Sequence, residues 1–326
     1  MATIAAVLQI LAVTLPFFAL IAAGYLAARR RVLPLEAIPG LNVFVLYFAL
    51  PCMLYRFGAG TPLAQLLDGT VGLIWALSAL CVIGVVVAFT RRGRIGWNDA
   101  AFGALVAAFP NTGFMGVPLL AAVLGPQAAG PVILTILFDM VLTSSVCIAL
   151  SRLDGSDGGG ASRAVRQALR GVVLNPLPWA MLLGALASYL RYRLPAPIER
   201  TIGMMADAAS PAALFTIGAV LARSALHVRQ LQHRAPVGEV LVVVVAKLAL
   251  HPMLVYALGL AAFALGLPLS PGALVTIVLV AALPSASNVS MLAERFGADN
   301  GRIARIILWT TVGAFFTFPL MTAWLH

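Results

Sequence analysis

Two residues of this chain place charge where charge is expensive. Lys247, in VVVVAKLALHP, and Asp139, in ILFDMVL, each lie about ten residues inside an apolar run, about 15 Å deep at 1.5 Å per helical residue. An ionisable group at that depth in a membrane is a functional candidate by default. The two runs belong to different halves of the chain, so the groups can meet. Two readings stand. One is a structural ion pair or a neutral buried pair. The other is a coupling site at which a proton, sodium or substrate exchanges with the pair. His251 follows Lys247 by four residues, on the same helix face; a lone histidine there reads first as a packing residue. Asp207, in MMADAASPAALF, is shallower and is a candidate for the wall of a water-filled vestibule, with an ion-coupling role beside Asp139 and Lys247. Asn42, in GLNVFVLYFALP, either bonds to a neighbouring helix or lines such a vestibule.

A second set of polar residues interrupts the apolar runs themselves. The stretch FPNTGFMGVPLL (109–120) packs Pro110, Asn111, Thr112, Gly113, Gly116 and Pro118 into one run; LPSASNVS (283–290) packs Pro284, Ser285, Ser287 and Asn288 into another. Proline removes a backbone donor and displaces a carbonyl, and in hydrocarbon such freed groups need partners. One proline is an ordinary kink. Paired interruptions at matching positions of two halves point to a transporter binding site. There, half-helix N-termini offer bare N–H groups to an anion, and freed carbonyls can face a cation.

The elements that position these residues follow from composition. Of 326 residues, 62% are hydrophobic and only 10% charged, with mean hydropathy +1.01. A soluble domain carries about a quarter charged residues, so the chain reads as an all-α polytopic membrane protein in a lipid bilayer. Apolar runs long enough to span fall at 4–28, 35–56, 70–90, 99–124, 129–150, 174–192, 201–223, 237–264, 271–293 and 303–325. Helix-entry chemistry marks several starts: Asn98-Asp99, Asn175-Pro176 and Ser270-Pro271. The first run lacks a basic region before it and a clear cleavage site, so it reads as a first span rather than a signal peptide.

The net charge of +10 does not imply nucleic acid, because the basic residues sit in short turns. Sixteen of the 21 lie after spans one, three, five, seven and nine, which puts those turns in the cytoplasm and both termini outside. The polar stretch SRLDGSDGGGASRAVRQALR (151–170) divides the spans five and five; its glycines make a linker, and 163–173 could lie on the membrane surface. Because five is odd, a second half of the same fold enters the membrane inverted. The broken run is the fourth of each half, and each is followed by a glycine, Gly125 and Gly297. Cys52, Cys81 and Cys147 lie in apolar runs at unrelated spacings, which suits packing and not a disulfide framework or metal motif. An intramembrane enzyme needs a nucleophile with a base, or metal ligands, at depth, and no such set is legible. No catalytic residue, metal or cofactor is expected.

The segments LPLEAIPGLNVFVLYFALPCMLY, FPNTGFMGVPLL, ADAASPAALFTIGAVLA, AKLALHPMLV and LPSASNVSMLAERFGAD resemble, in order and over nearly the whole chain, the auxin efflux carrier family. That family includes plant auxin exporters and bacterial carriers of malonate, malate and related organic anions. The lack of a long central loop and the run SNVSMLAERFGAD after Pro284 resemble the bacterial branch; plant carriers have a second proline near the position of Val289. The resemblance implies two inverted five-helix repeats, 1–155 and 171–326, joined by a cytoplasmic linker at 156–170. It implies a scaffold of spans one, two, six and seven that holds a homodimer, and a transport domain of spans three to five and eight to ten. Spans four and nine would cross at Pro110, Gly116, Pro118 and Pro284, beside a substrate held by Asn111, Thr112, Gly113, Ser287, Asn288, Asn42 and Lys247. The family's basic residue before a proline in span eight matches Lys247 and Pro252. The expected function is elevator-type secondary transport of a small carboxylate such as malonate across a bacterial inner membrane, coupled to H+ or Na+. A sodium-coupled bile-acid-type carrier or an auxin-like monocarboxylate carrier is the alternative.

Overall fold

The computed structural model describes residues 2–61, 68–92, 95–153, 176–230 and 237–325. The linker at 156–170, the surface helix expected from Arg163 and the cap expected at Asn175 lie outside the described residues. Among the described residues the chain is helical, and the one extended pairing is an isolated antiparallel bridge between Pro110 and Ser285. The helices are α1 (Ala2–Arg29), α2 (Leu35–Gly60), α3 (Gly69–Arg91), α4 (Trp97–Ala108), α5 (Thr112–Leu124) and α6 (Ala129–Leu150). They continue as α7 (Pro176–Tyr189), α8 (Ala196–Gln230), α9 (Gly238–Ala264), α10 (Pro271–Ala281), α11 (Val289–Arg295) and α12 (Asn300–Leu325).

Among the described residues, six helices, α2, α3, α6, α8, α9 and α12, are long and apolar enough to cross a membrane. Shorter apolar helices are Leu15–Arg29 within α1, α5, Trp179–Tyr189 within α7, and α10. The protein is a polytopic helical membrane protein. The expected runs 99–124 and 271–293 are each two helices: α4 with α5, and α10 with α11.

The entry signals divide. Ser270 caps α10, its hydroxyl accepting from the Ala273 N–H at 3.1 Å with Pro271 in the first turn. Asn98 and Asp99 do not cap α4, whose N-cap is Gly96. Their side chains reach across the bundle instead: Asn98 donates to the Phe296 carbonyl at 3.0 Å, and Asp99 accepts from the Asp299 N–H at 2.7 Å. The reason is tertiary: the turn after α11 lies over the start of α4, and its own backbone groups needed partners.

Four helices contain a widened π-turn: Val45–Ala49, Thr112–Gly116, Asp139–Thr143 and Ala246–Leu250. Three precede a proline by two residues: Pro51, Pro118 and Pro252. In each case the carbonyl four residues before the proline falls inside the π-turn. The ring clashes with that carbonyl and offers it no N–H, and widening the turn relieves both faults. The fourth has no proline; there the Ser144 hydroxyl donates to the Asp139 carbonyl at 2.9 Å.

Packing then separates two groups of contacts. Helix α1 lies along α8, α7 lies along the second half of α2, and α8 also meets α2. Glycines permit the closest approaches: a side chain at Gly24 would overlap the Phe215 carbonyl and one at Gly218 the Ile21 carbonyl, while Gly58 and Gly184 play the same part between α2 and α7. The other group contains α3 against α4, α6 and α9, with α10 against α9 and α6. Within it α4 is buried on every side from Ala100 to Ala108, and α10 nearly so. An interrupted backbone must be shielded from lipid, and the two interrupted helices are the innermost.

Candidate functional site

The two interruptions meet. Helix α4 ends at Ala108, and Phe109 runs extended (φ −107°, ψ 98°) into Pro110. The Asn111 N–H donates to the Pro284 carbonyl at 2.8 Å, and the Ala286 N–H donates to the Phe109 carbonyl at 3.0 Å. Two broken helices thus satisfy part of each other's freed backbone. The remainder is met locally. The Asn111 carbonyl accepts from the Met115 and Gly116 N–H groups, both at 3.0 Å, and the Thr310 hydroxyl of α12 accepts from the Ser285 N–H at 3.2 Å. Gly116 is needed for the approach: a methyl there would stand 2.7 Å from Leu283 Cδ1.

The side chains at the crossover are less well served. Asn111 Oδ1, Ser285 Oγ and Asn288 Oδ1 are buried and have no hydrogen-bond partner. Buried polar atoms in native proteins are nearly always paired, and three of the unpaired ones meet at this crossing. Each amide can present donors or an acceptor by a half-turn of its terminal bond. Beside them, a side chain added at Gly113 would meet nothing within 4 Å, so there is room. Thr112 is buried, with its hydroxyl 3.5 Å from the Pro110 carbonyl, and Ser287 is buried at the start of the turn into α11. Pro118 lies one turn beyond, after the π-turn.

Behind the crossover lies a fully buried polar chain. Asp139 Oδ1 accepts from Trp75 Nε1 at 2.9 Å and from the Thr143 hydroxyl at 3.1 Å, while Oδ2 has no partner. The Trp75 ring packs on the His251 ring, centroids 5.2 Å apart. His251 Nδ1 lies 3.2 Å from Lys247 Nζ, which also donates to the Ala281 carbonyl at 2.7 Å. His251 Nε2 is buried and has no hydrogen-bond partner. All four side chains are fully buried. Asp139 and Lys247 are therefore in one network without forming a salt bridge; among the described residues the salt bridge is Arg56–Asp207, at 2.7 Å. The amine of Lys247 caps the C-terminal end of α10, where a cation is favoured, just ahead of the break at Pro284.

Asp207 is elsewhere. It is exposed on α8 and joined to Arg56 of α2. Asn42 is half-buried on α2 and forms no hydrogen bond to the crossover. Trp75 and Thr310 were not legible as site residues, and His251, noted four residues after Lys247, was read first as a packing residue. The usable signal for Trp75 was an indole N–H inside an apolar run, which demands a partner when buried.

A helical membrane protein whose two innermost helices break, cross and leave unpaired polar atoms beside open space has the construction of a solute carrier. The comparisons agree. The membrane transport protein family matches residues 9–158 and 161–322, and the chain belongs to it, the family of the auxin efflux carriers. It is 33% identical over 309 residues to a Rhizobium meliloti (strain 1021) protein named "Putative malonate transporter", covering 93% of this chain and 92% of that one. It is 24% identical over 320 residues to the "Uncharacterized transporter YfdV" of Escherichia coli (strain K12), covering 94% of each. Over 270 residues it is 21% identical to "Auxin efflux carrier component 8" of Arabidopsis thaliana, covering 66% of this chain and 72% of that one. It is a transporter and not an enzyme.

Proposed function

We propose that the chain is an elevator-type secondary carrier of a small organic anion, with a short dicarboxylate such as malonate as the first substrate to test. The observation that carries this is the crossover: orphaned polar atoms of Asn111, Ser285 and Asn288 beside the open space at Gly113. A carboxylate fits there because it accepts from amides, hydroxyls and the bare N–H end of α5. The name of the Rhizobium relative favours malonate over the monocarboxylate of the plant relative. Lys247 acts from the far side of the break, adding positive charge to the end of α10. Asp139 is the group through which H+ or Na+ couples.

The mechanism rests on ten spans in two inverted repeats, α1 to α6 and α7 to α12. Several features favour this. The α1–α8 and α2–α7 glycine contacts exchange under such a symmetry. Arg31 after α1 and Arg191 after α7 both take left-handed backbone (φ 58° and 51°), and each precedes a Leu-Pro turn and a glutamate. Gly125 and Gly297 both have positive φ just after α5 and α11. In this reading α1, α2, α7 and α8 form the scaffold through which a dimer is held, with both termini outside. The rest slides past them carrying the crossover.

The test is counterflow of labelled malonate in proteoliposomes, with sodium and proton gradients imposed separately. Asn111→Ala and Asn288→Ala should each reduce uptake about tenfold or more, the loss expected for a hydrogen bond to a charged group, with unchanged melting temperature. Wild-type rates in both variants would refute the site.

A further inference from the structure

A second cleft, sharing no residue with the crossover, lies where α2 ends and α7 turns into α8. It is about 390 Å³ in volume and is lined by Tyr55, Arg56, Tyr192, Arg193, Glu199 and Ile202, among others. Its position at the bundle's end is fixed by Ser188, whose hydroxyl donates to the Thr61 carbonyl at 3.2 Å. Three observations bear on what it holds. First, its charges are of both signs and are not spent on each other. Arg56 is engaged by Asp207, but Arg193 and Glu199 line one cleft and form no salt bridge with each other. Second, the backbone turns abruptly to put Tyr192 and Arg193 there. Arg191 occupies the left-handed region that favours glycine (φ 51°), with the Tyr192 N–H donating to the Ala187 carbonyl at 2.9 Å. Third, the flank of α7 leading from the cleft exposes Leu182, Leu183, Leu186, Tyr189 and Leu190, an apolar strip along a membrane helix.

We propose that this cleft binds the headgroup of a phospholipid bearing both a phosphate and a primary amine. Arg193, with the outer edge of Arg56, takes the phosphate, since a guanidinium fork matches its oxygens. Glu199 takes the ammonium. Tyr55 and Tyr192 line the cleft and are of the residue type that anchors to headgroups, and the acyl chains follow the leucine strip of α7. A purely anionic lipid would leave Glu199 facing a negative charge. A quaternary ammonium would deprive Glu199 of its hydrogen bond. A soluble dicarboxylate would use the arginines but oppose the glutamate. The site is separate from the crossover, so the proposal does not depend on the transported substrate.

The test is native mass spectrometry of the delipidated full chain, titrated with phosphatidylethanolamine, phosphatidylcholine and phosphatidylglycerol of matched acyl chains. The wild type should retain phosphatidylethanolamine about threefold over either of the others, the discrimination that exposed charge pairs supply. Arg193→Gln and Glu199→Gln should each erase that preference while leaving malonate uptake in mixed-lipid proteoliposomes active. Both side chains are exposed, so the variants should fold, and an unchanged melting temperature checks this. Equal retention of the three lipids, preference for phosphatidylglycerol, or displacement of bound lipid by malonate would each overturn the proposal. So would a phosphatidylethanolamine preference that survives both substitutions.

Discussion

The breaks in α4–α5 and in α10–α11 do the same job by different means. The first is short: residues 109–111 leave the helix, and the chain rewinds at once through the π-turn at Thr112–Gly116. Its bonds are mostly its own, with Asn111 O accepting two N–H groups and the Thr112 N–H reaching the Pro110 carbonyl at 2.8 Å. The second is longer, residues 282–288, and rewinds into a seven-residue helix. Other helices support it: Lys247 of α9 holds the Ala281 carbonyl and Thr310 of α12 holds the Ser285 N–H. Both breaks share the two crossing bonds, and the second is held in addition by side chains of α9 and α12. The lesson is that a matched pair of interruptions need not be matched in rigidity. The externally held one is the one whose shape a buried charge can influence.

That contrast can be attacked in order of expected effect. Lys247→Met strikes only the second break. It removes the donor on the Ala281 carbonyl and one end of the buried network that reaches Asp139, which should destabilise the protein by about 1–3 kcal/mol. The melting temperature in detergent measures this. Adding Asp139→Asn should restore much of the loss, since both members of the network then go; strictly additive losses would mean the two groups are uncoupled. Thr310→Val leaves the Ser285 N–H buried without an acceptor and should remove about 1–2 kcal/mol. The same readout applies, and an unchanged melting temperature would deny that α12 supports the break. Pro118→Ala is the mildest. The π-turn it follows is also held by the Asn111 carbonyl, so stability should change by less than about 0.5 kcal/mol and uptake should be retained. A large loss would show that the first break depends on proline and not on its own hydrogen bonds.

The prolines explain how much of this was legible beforehand. Pro110 and Pro284 announced the interruptions, because a missing N–H is a property of the residue and needs no neighbour to be read. Ser270-Pro271 announced a helix start for the same reason. The sequence also contained, unread, the reason Thr112 and Lys247 sit on widened turns, since each lies a few residues before a proline. Asn98 and Asp99 misled as caps because their partners, Phe296 and Asp299, are about 200 residues away in the chain. Periodicity does not encode which distant backbone group lacks a partner.

The amino-acid order alone determined a membrane-embedded helical chain, where its apolar runs lie, and which two would break. Those follow from hydropathy and from the covalent chemistry of proline. Only the tertiary structure decided that the breaks cross at Pro110 and Ser285. It also decided that Asp139 reaches Lys247 through Trp75 and His251 without a direct salt bridge, and that Asp207 answers to Arg56. A buried polar group takes the nearest partner that packing leaves it, and packing is a property of all the helices together.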